Sequence, residues 1–216
     1  QVFGAEPQTM ADAVPHLERA GADIIDINMG CPVPKVLKAR GGSALMRDPD
    51  RAVAIAQAVV KAARVPVTCK IRAGRYDGDE SYLELGTRLQ EVGVAAIAVH
   101  ARTIAQGFSG EADHRRTGRL VEVLRIPVIA SGDVFSPTMP QAILEDTGCA
   151  GVMIARGAIG RPWVFYQANE VLAGRPAPKD PPPAFRLGVA LCQAQMLEQQ
   201  SDERTATHQM RAHLAW

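Results

Sequence analysis

Cys31 is the residue with the clearest chemical potential. It lies in Asp26-Ile27-Asn28-Met29-Gly30-Cys31-Pro32. The apolar run that precedes it, Asp23 to Ile27, reads as a short buried strand, and Gly30 and Pro32 stop that strand and begin a loop. A thiol is thus presented at the C-terminal end of a strand, where proteins built of βα repeats assemble their active sites. Such a cysteine can act as a nucleophile or as a proton donor. A nucleophile needs an adjacent base, and His100 is the one candidate, so proton donation is at least as strong a reading. The other cysteines, Cys69, Cys149 and Cys192, read as small buried hydrophobes.

A second set is cationic. Lys70-Ile71-Arg72 and His100-Ala101-Arg102 each end an apolar run, and strand alternation puts the two charges of each pair on one face. Cations gathered at one rim suit an anionic or electron-accepting partner. A flavin ring is such a partner, because positive charge near its N1/O2 edge stabilises the reduced anion. Structural ion pairs with Asp26 or Asp133 are the alternative use of these charges. A third set, Ser131-Gly132-Asp133 and Ala155-Arg156-Gly157, follows the last two strands. There Gly lets backbone N–H groups approach a phosphate and Arg156 adds a fixed charge. Ordinary βα turns favour Gly as well.

The elements that must position these groups are legible in the periodicity. Strands are expected at Gln1–Gly4, 23–28, 66–72, 94–99, 126–130 and 150–154. Helices are expected at 9–20, 49–63, 81–92, 116–124 and 139–146, with stops at Gly21, Gly93 and Gly148. Short strands alternating with longer helices are the signature of βα units on a parallel sheet. Continuously apolar strands imply a sheet buried on both faces. The polar residues at the strand ends favour a (β/α)8 barrel, in which they converge, over a doubly wound open sheet, in which they spread along an edge. The chain is read as lacking the first two βα units and as cut at both ends. The expected organisation is a barrel domain over 1–173, a Pro-rich linker over 174–183 and the start of a helical domain over 184–216.

Composition adds exclusions. The 216 residues carry a formal net charge of +1, which gives no sign of a polybasic tail and leaves room for a local basic patch. The cysteines show no CxxC or His/Cys cluster, so neither zinc nor a disulfide framework is expected. No signal peptide or long apolar run is present, and a soluble, cytoplasmic, monomeric protein is expected.

Taken together, these motifs resemble the tRNA-dihydrouridine synthases, in particular the bacterial subgroup that includes a protein once called a nitrogen-regulation protein. The segments that carry the resemblance are Asp26–Pro32, Gly41–Leu45, Val67–Arg72, Val99–Thr103 with Gly107–Gly110, Ile129–Asp133 and Val152–Trp163, in order over residues 1 to about 170. The resemblance implies an FMN-binding (β/α)8 barrel followed by a helical domain that helps hold tRNA. It implies reduction of the C5–C6 double bond of a tRNA uridine. It implies NADPH as the electron donor and Cys31 as the acid that protonates C5. It places Gln1, Lys70, His100, Ser131, Gly132, Asp133, Ala155 and Arg156 around FMN, and Asn28, Arg72 and Arg102 around the uracil. Three positions depart from the family pattern. Ser131 stands for the usual Asn, His114 for a common Trp and Ala155 for a common Gly. Two alternatives stay open. One is an FMN barrel that reduces a free pyrimidine, and the other is a non-catalytic RNA-binding relative.

Overall fold

The structure, a computed structural model, describes residues 1–214. The chain divides into two compact units. The first comprises residues 1–132 and 143–153. The second comprises 133–142 and the described residues from 154 onward.

The first unit is a βα alternation. In order it contains α1 (Pro7–Arg19), β1 (Ile25–Asn28), α2 (Pro34–Lys38), a 3-10 turn (Gly42–Arg47), α3 (Pro49–Ala62), β2 (Val67–Arg72), α4 (Ser81–Glu91), β3 (Ala96–His100), α5 (Arg115–Val123), β4 (Val128–Ser131), the later part of α6 (Met139–Thr147) and β5 (Gly151–Met153). All neighbouring strands pair in parallel, in the spatial order β1-β2-β3-β4-β5. Spatial order therefore equals chain order, with no reversal. A doubly wound sheet has a reversal at its switch point, so that alternative is excluded for the described strands. Val2 forms a parallel bridge with Ile27 on the outer side of β1, which is what remains of the strand expected at Gln1–Gly4.

Local chemistry accounts for the element ends. Pro7 and Pro49 sit at first-turn positions, where a missing N–H costs nothing. Asp48 caps α3 by accepting the Arg51 N–H at 3.2 Å. Ile55, Ala56 and Val59 of α3, Leu85 and Leu89 of α4 and Leu120 of α5 pack with Ile25, Ile27, Cys69, Ile71, Ile97 and Val99 into one core.

Three expectations need correction. Burial on both faces holds for β3, whose positions 97–100 are all buried, but not for β1 and β2. β1 and β2 alternate buried and half-buried positions, with Asp26, Asn28, Thr68 and Lys70 in the half-buried row. The helices bury one face, and the other carries polar side chains toward the strand ends. Residues 34–38 and 42–47 are helical turns where the sequence suggests only loop, because Gly/Pro punctuation conceals short turns. Cys192 is exposed, unlike Cys69 and Cys149.

In the second unit a 3-10 turn (Arg156–Ala158) is followed by α7 (Val164–Leu172), α8 (Pro183–Gln200) and α9 (Glu203–Leu214). Helix α7 has no counterpart in the sequence reading. It holds the proline-rich segment by side-chain bonds: Gln167 Nε2 donates to Pro178 O at 2.8 Å and to Asp180 Oδ1 at 3.0 Å, and Trp163 Nε1 donates to Asp180 Oδ1 at 3.1 Å. Among the described residues no helix is long and apolar enough to cross a membrane, and no group of three or more His, Cys, Asp or Glu could hold a metal ion.

Candidate active site

The site in the first unit is assembled at the C-terminal ends of β1, β2 and β3. Asn28 pairs in register with Lys70, Arg72 with His100, and His100 with Ser131. The ladder therefore sets the candidate groups in two successive rows at the strand ends, Asn28 with Lys70 and then Arg72, His100 and Ser131.

The cysteine loop hangs from Asn28. Its backbone N–H is held by Val2 O at 2.8 Å, and its side-chain Oδ1 accepts the N–H groups of Gly30 at 3.1 Å and Cys31 at 2.9 Å. Its Nδ2 donates to Gln1 Oε1 at 2.8 Å, and Gln1 Nε2 donates to Asp26 Oδ2 at 2.5 Å. Asp26 also accepts from Thr68 Oγ1 at 2.7 Å. On the other side the Cys31 carbonyl accepts the Ser43 N–H at 3.0 Å. Gly42 makes that contact possible. Its φ is 59°, and a Cβ there would lie 2.5 Å from the Cys31 carbonyl oxygen. Cys31 itself is half-buried. Asn28 is thus a loop-former in this structure, and its amide is engaged with protein partners.

Arg72 and Arg102 do the same for a second loop. Arg72 Nε donates to Gly30 O at 2.9 Å, and its Nη1 donates to Thr103 O at 2.9 Å and Gly107 O at 2.7 Å. Arg102 donates through Nε to Ser109 O at 3.2 Å and through Nη2 to Gly110 O. Both arginines are almost fully buried. A buried guanidinium is costly unless its donors are satisfied, and carbonyl oxygens satisfy these. Burial, and then the neighbouring Arg102, draws the Arg72 pKa down from its ordinary value. The cation-x-cation pattern therefore serves the loop spanning 103–110, and Arg72 links that loop to the cysteine loop.

The loop carries Phe108, to which the sequence reading gives no role. Its ring centroid lies 5.9 Å from that of His100 and 5.5 Å from the Arg72 guanidinium carbon, and the residue is 59% exposed. The signal in the sequence was an aromatic bracketed by Gly107 and Gly110 just after a cationic strand end.

Lys70 differs from the two arginines. It is half-buried and makes no side-chain hydrogen bond or ion pair among the described residues. Burial, and then Arg72, lowers its pKa below the ordinary 10.5, while Asp26 and Cys31 pull it back up. A partly desolvated ammonium without an acceptor suits an anionic ligand edge. After β4, Gly132 has φ 124°, and a Cβ there would come within 2.7 Å of the Ala112 Cβ and 3.0 Å of His100 Cδ2. His114 Nε2 lies 3.0 Å from Gly132 O, so this departure from the family's usual Trp supports the Ser131-Gly132 turn from below. Burial, aided by Asp26, pushes the Cys69 thiol far up, so it is inert beside Cys31.

In the second unit Asp133 has φ 50° and accepts from Arg156 Nη2 at 3.0 Å. The Arg156 guanidinium carbon lies 5.3 Å from the Phe135 ring centroid. Ala155 precedes the short 3-10 turn that begins at Arg156.

A profile described as dihydrouridine synthase (Dus) matches residues 1–216. The chain belongs to the dihydrouridine synthase family. It is 41% identical over 216 residues to a probable tRNA-dihydrouridine synthase 1 of Synechocystis, covering all of this chain and 61% of that protein. It is 42% identical over 217 residues to tRNA-dihydrouridine synthase B of Xanthomonas campestris, covering all of this chain and 65% of that protein. The chain thus spans less than two thirds of these relatives' lengths. Among solved structures, 2-naphthoyl-CoA reductase matches with a TM-score of 0.59 at 14% identity, over 78% of this chain and 29% of that one. Morphinone reductase in complex with tetrahydroNAD matches with a TM-score of 0.51 at 16% identity, over 83% of this chain and 51% of that one. At such identities the likeness concerns the fold alone, an α/β fold on a parallel sheet.

Two outcomes follow from this geometry. Asn28→Ala removes the acceptor of two loop N–H groups, each worth about 1 kcal/mol. Alkylation of Cys31 by iodoacetamide is expected to rise about tenfold, with Cys69 unlabelled; an unchanged rate would show that Asn28 does not hold the loop. The second outcome concerns Lys70. Its folded pKa lies below 10.5, so between the two values the unfolded chain binds a proton that the folded chain does not. Stability from this group therefore rises with pH across that window. In urea titrations of the ligand-free chain, the stability gained by Lys70→Met should shrink as pH climbs toward 10.5, and a gain that is flat with pH contradicts the assignment.

Proposed function

We propose that this protein takes part in the FMN-dependent reduction of a uridine C5–C6 double bond in tRNA, with NADPH as electron donor and Cys31 as the acid that protonates C5. The observation that carries this is the half-buried Cys31 thiol, held by backbone bonds at the end of β1 beside the in-register Lys70. Family membership supports the same reading. The sequential parallel ladder is proposed to be the sheet of a closed (β/α)8 barrel over residues 1–173, with 174–183 as linker and a helical, tRNA-holding part from 184.

The residues present fit a flavin. Lys70 offers a cation without an ion pair, and the Ser131-Gly132 turn beside His100 has no room for a side chain at 132. Gln1, Lys70, His100, Ser131, Gly132, Asp133, Ala155 and Arg156 are proposed to hold FMN. When bound and reduced, FMN supplies the hydride that adds to C6. The chain's own part is acid catalysis and orientation. As hydride adds at C6, negative charge develops at C5 and O4, and an acid poised at C5 lowers the barrier. The S–H bond of Cys31 breaks, its proton goes to C5, and the thiolate remains. Cys31 lies within electrostatic range of Lys70 and Arg72. Asn28, Arg72 and Arg102 are proposed to line the uracil side while anchoring the two loops. A base must leave its stack to reach strand ends, so base flipping is part of the proposal.

Cys31→Ala is expected to retain flavin and NADPH-driven flavin reduction but to slow dihydrouridine formation by about 10²–10⁴-fold, the range of general acid–base catalysis. The check is single-turnover reduction of tRNA from cells lacking the enzyme, read by nucleoside mass spectrometry. Unchanged turnover would remove the acid role. Efficient reduction of free uracil with none of tRNA would favour a free-pyrimidine enzyme.

A further inference from the structure

Residues 27–47 contain no Asp or Glu and four cations, Lys35, Lys38, Arg40 and Arg47. A net charge near zero hides this run, because carboxylates elsewhere balance it. All four residues are exposed, and none has a side-chain hydrogen bond or ion pair among the described residues. Several surface arginines elsewhere are paired with carboxylates. Arg51 pairs with Asp48, Arg88 with Asp50, Arg119 with Glu80 and Arg175 with Glu170.

The turn Gly42–Arg47 buries Leu45 and Met46 in the core, but the helical part before it is not a folding device. Helix α2 buries none of its residues, and Val33 and Leu37 are 50% and 37% exposed. Arg40 sits at φ 54°, a left-handed conformation that a non-glycine residue rarely adopts and that clusters at functional sites. The Gly41 N–H to Val36 O bond, 3.1 Å, closes the turn around it. The segment is also tied directly to the candidate acid. Pro32 follows Cys31 in the chain, and the Ser43 N–H returns to the Cys31 carbonyl. Whatever binds this run is therefore placed beside the thiol.

We infer that the run from Pro32 to Arg47 is a phosphate-gripping rim, in which Lys35, Lys38, Arg40 and Arg47 hold the phosphodiester backbone of RNA next to the nucleotide presented to Cys31. This rests on the reading that RNA is the substrate. Unpaired exposed cations with no local carboxylate are the electrostatic footprint of a polyanion. Lys35 and Lys38 stand on a helix that buries none of its residues, and Arg40 and Arg47 are exposed, so these side chains can follow a backbone without disturbing the core. The interaction fixes where the strand lies and carries no base preference.

The test compares the intact flavin-loaded protein with a Lys35→Gln/Lys38→Gln/Arg40→Gln variant. Binding to tRNA is measured across salt concentrations. Each phosphate contact contributes a slope of about 0.7–0.9 in log K against log [salt], so the slope should fall by about 2–3. Affinity at low salt should drop by about tenfold or more. Flavin content and NADPH-driven flavin reduction should not change, which shows that the variant folds. A control that removes two cations elsewhere, Lys61→Gln/Arg64→Gln at and just after the end of α3, should leave the slope as it was, and Lys35→Arg/Lys38→Arg should keep wild-type binding. A triple-variant slope equal to wild type, or a control that falls as far per charge, overturns the rim while leaving the parent reading intact. Wild-type protein that binds tRNA without salt dependence, or not at all, overturns both.

Discussion

The structure depends on one carboxamide oxygen. Asn28 Oδ1 takes the N–H groups of Gly30 and Cys31, and the backbone of Asn28 is itself held in the parallel array between Val2 and β2. A loop after a strand ordinarily carries backbone donors that only water satisfies. Here they are satisfied by a side chain whose own position is set by the ladder. The location of the thiol is therefore inherited from the core of Ile25, Ile27, Cys69 and Ile71, and not left to the loop.

The arginines extend that logic. Arg72 and Arg102 reach from strand ends into two loops and donate to their carbonyls, so each loop is fixed by a charge-assisted bond within a buried setting. The desolvation of these cations is offset by oxygens from the protein. Lys70, beside them, has no such oxygen. The difference between satisfied and unsatisfied cations separates groups that build the site from the group proposed to face a ligand, a distinction that charge alone does not give.

Much of this was legible in the sequence, for physical reasons. Period and punctuation gave β1 to β5, α1 and α3 to α6, because apolar strands and glycine stops reflect burial and chain reversal directly. The cysteine loop and the rows of strand-end cations were equally visible. What escaped was what side chains do within a few residues of their own position. Asn28 reads as a substrate amide and bonds its own loop. Arg72 reads as a charge for a ligand and anchors carbonyls of three different residues. Phe108 reads as one aromatic among glycines and lies against His100 and Arg72. Helix α2 was hidden by prolines that usually signal loop, and the unpaired cations around it were hidden by a neutral total. The half-buried polar row of β1 and β2 was missed because an apolar run does not say which face helices cover.

The central claim is that the proton reaching C5 comes from the fixed thiol of Cys31. A thiol fixed by the ladder can reach only one face of a bound base. Dihydrouridine made in D₂O should therefore carry its solvent-derived deuteron on one face of C5, as read by proton NMR of the isolated nucleoside. The residual product of Cys31→Ala should carry it on both faces. The same single-faced product from wild type and from Cys31→Ala would contradict the account.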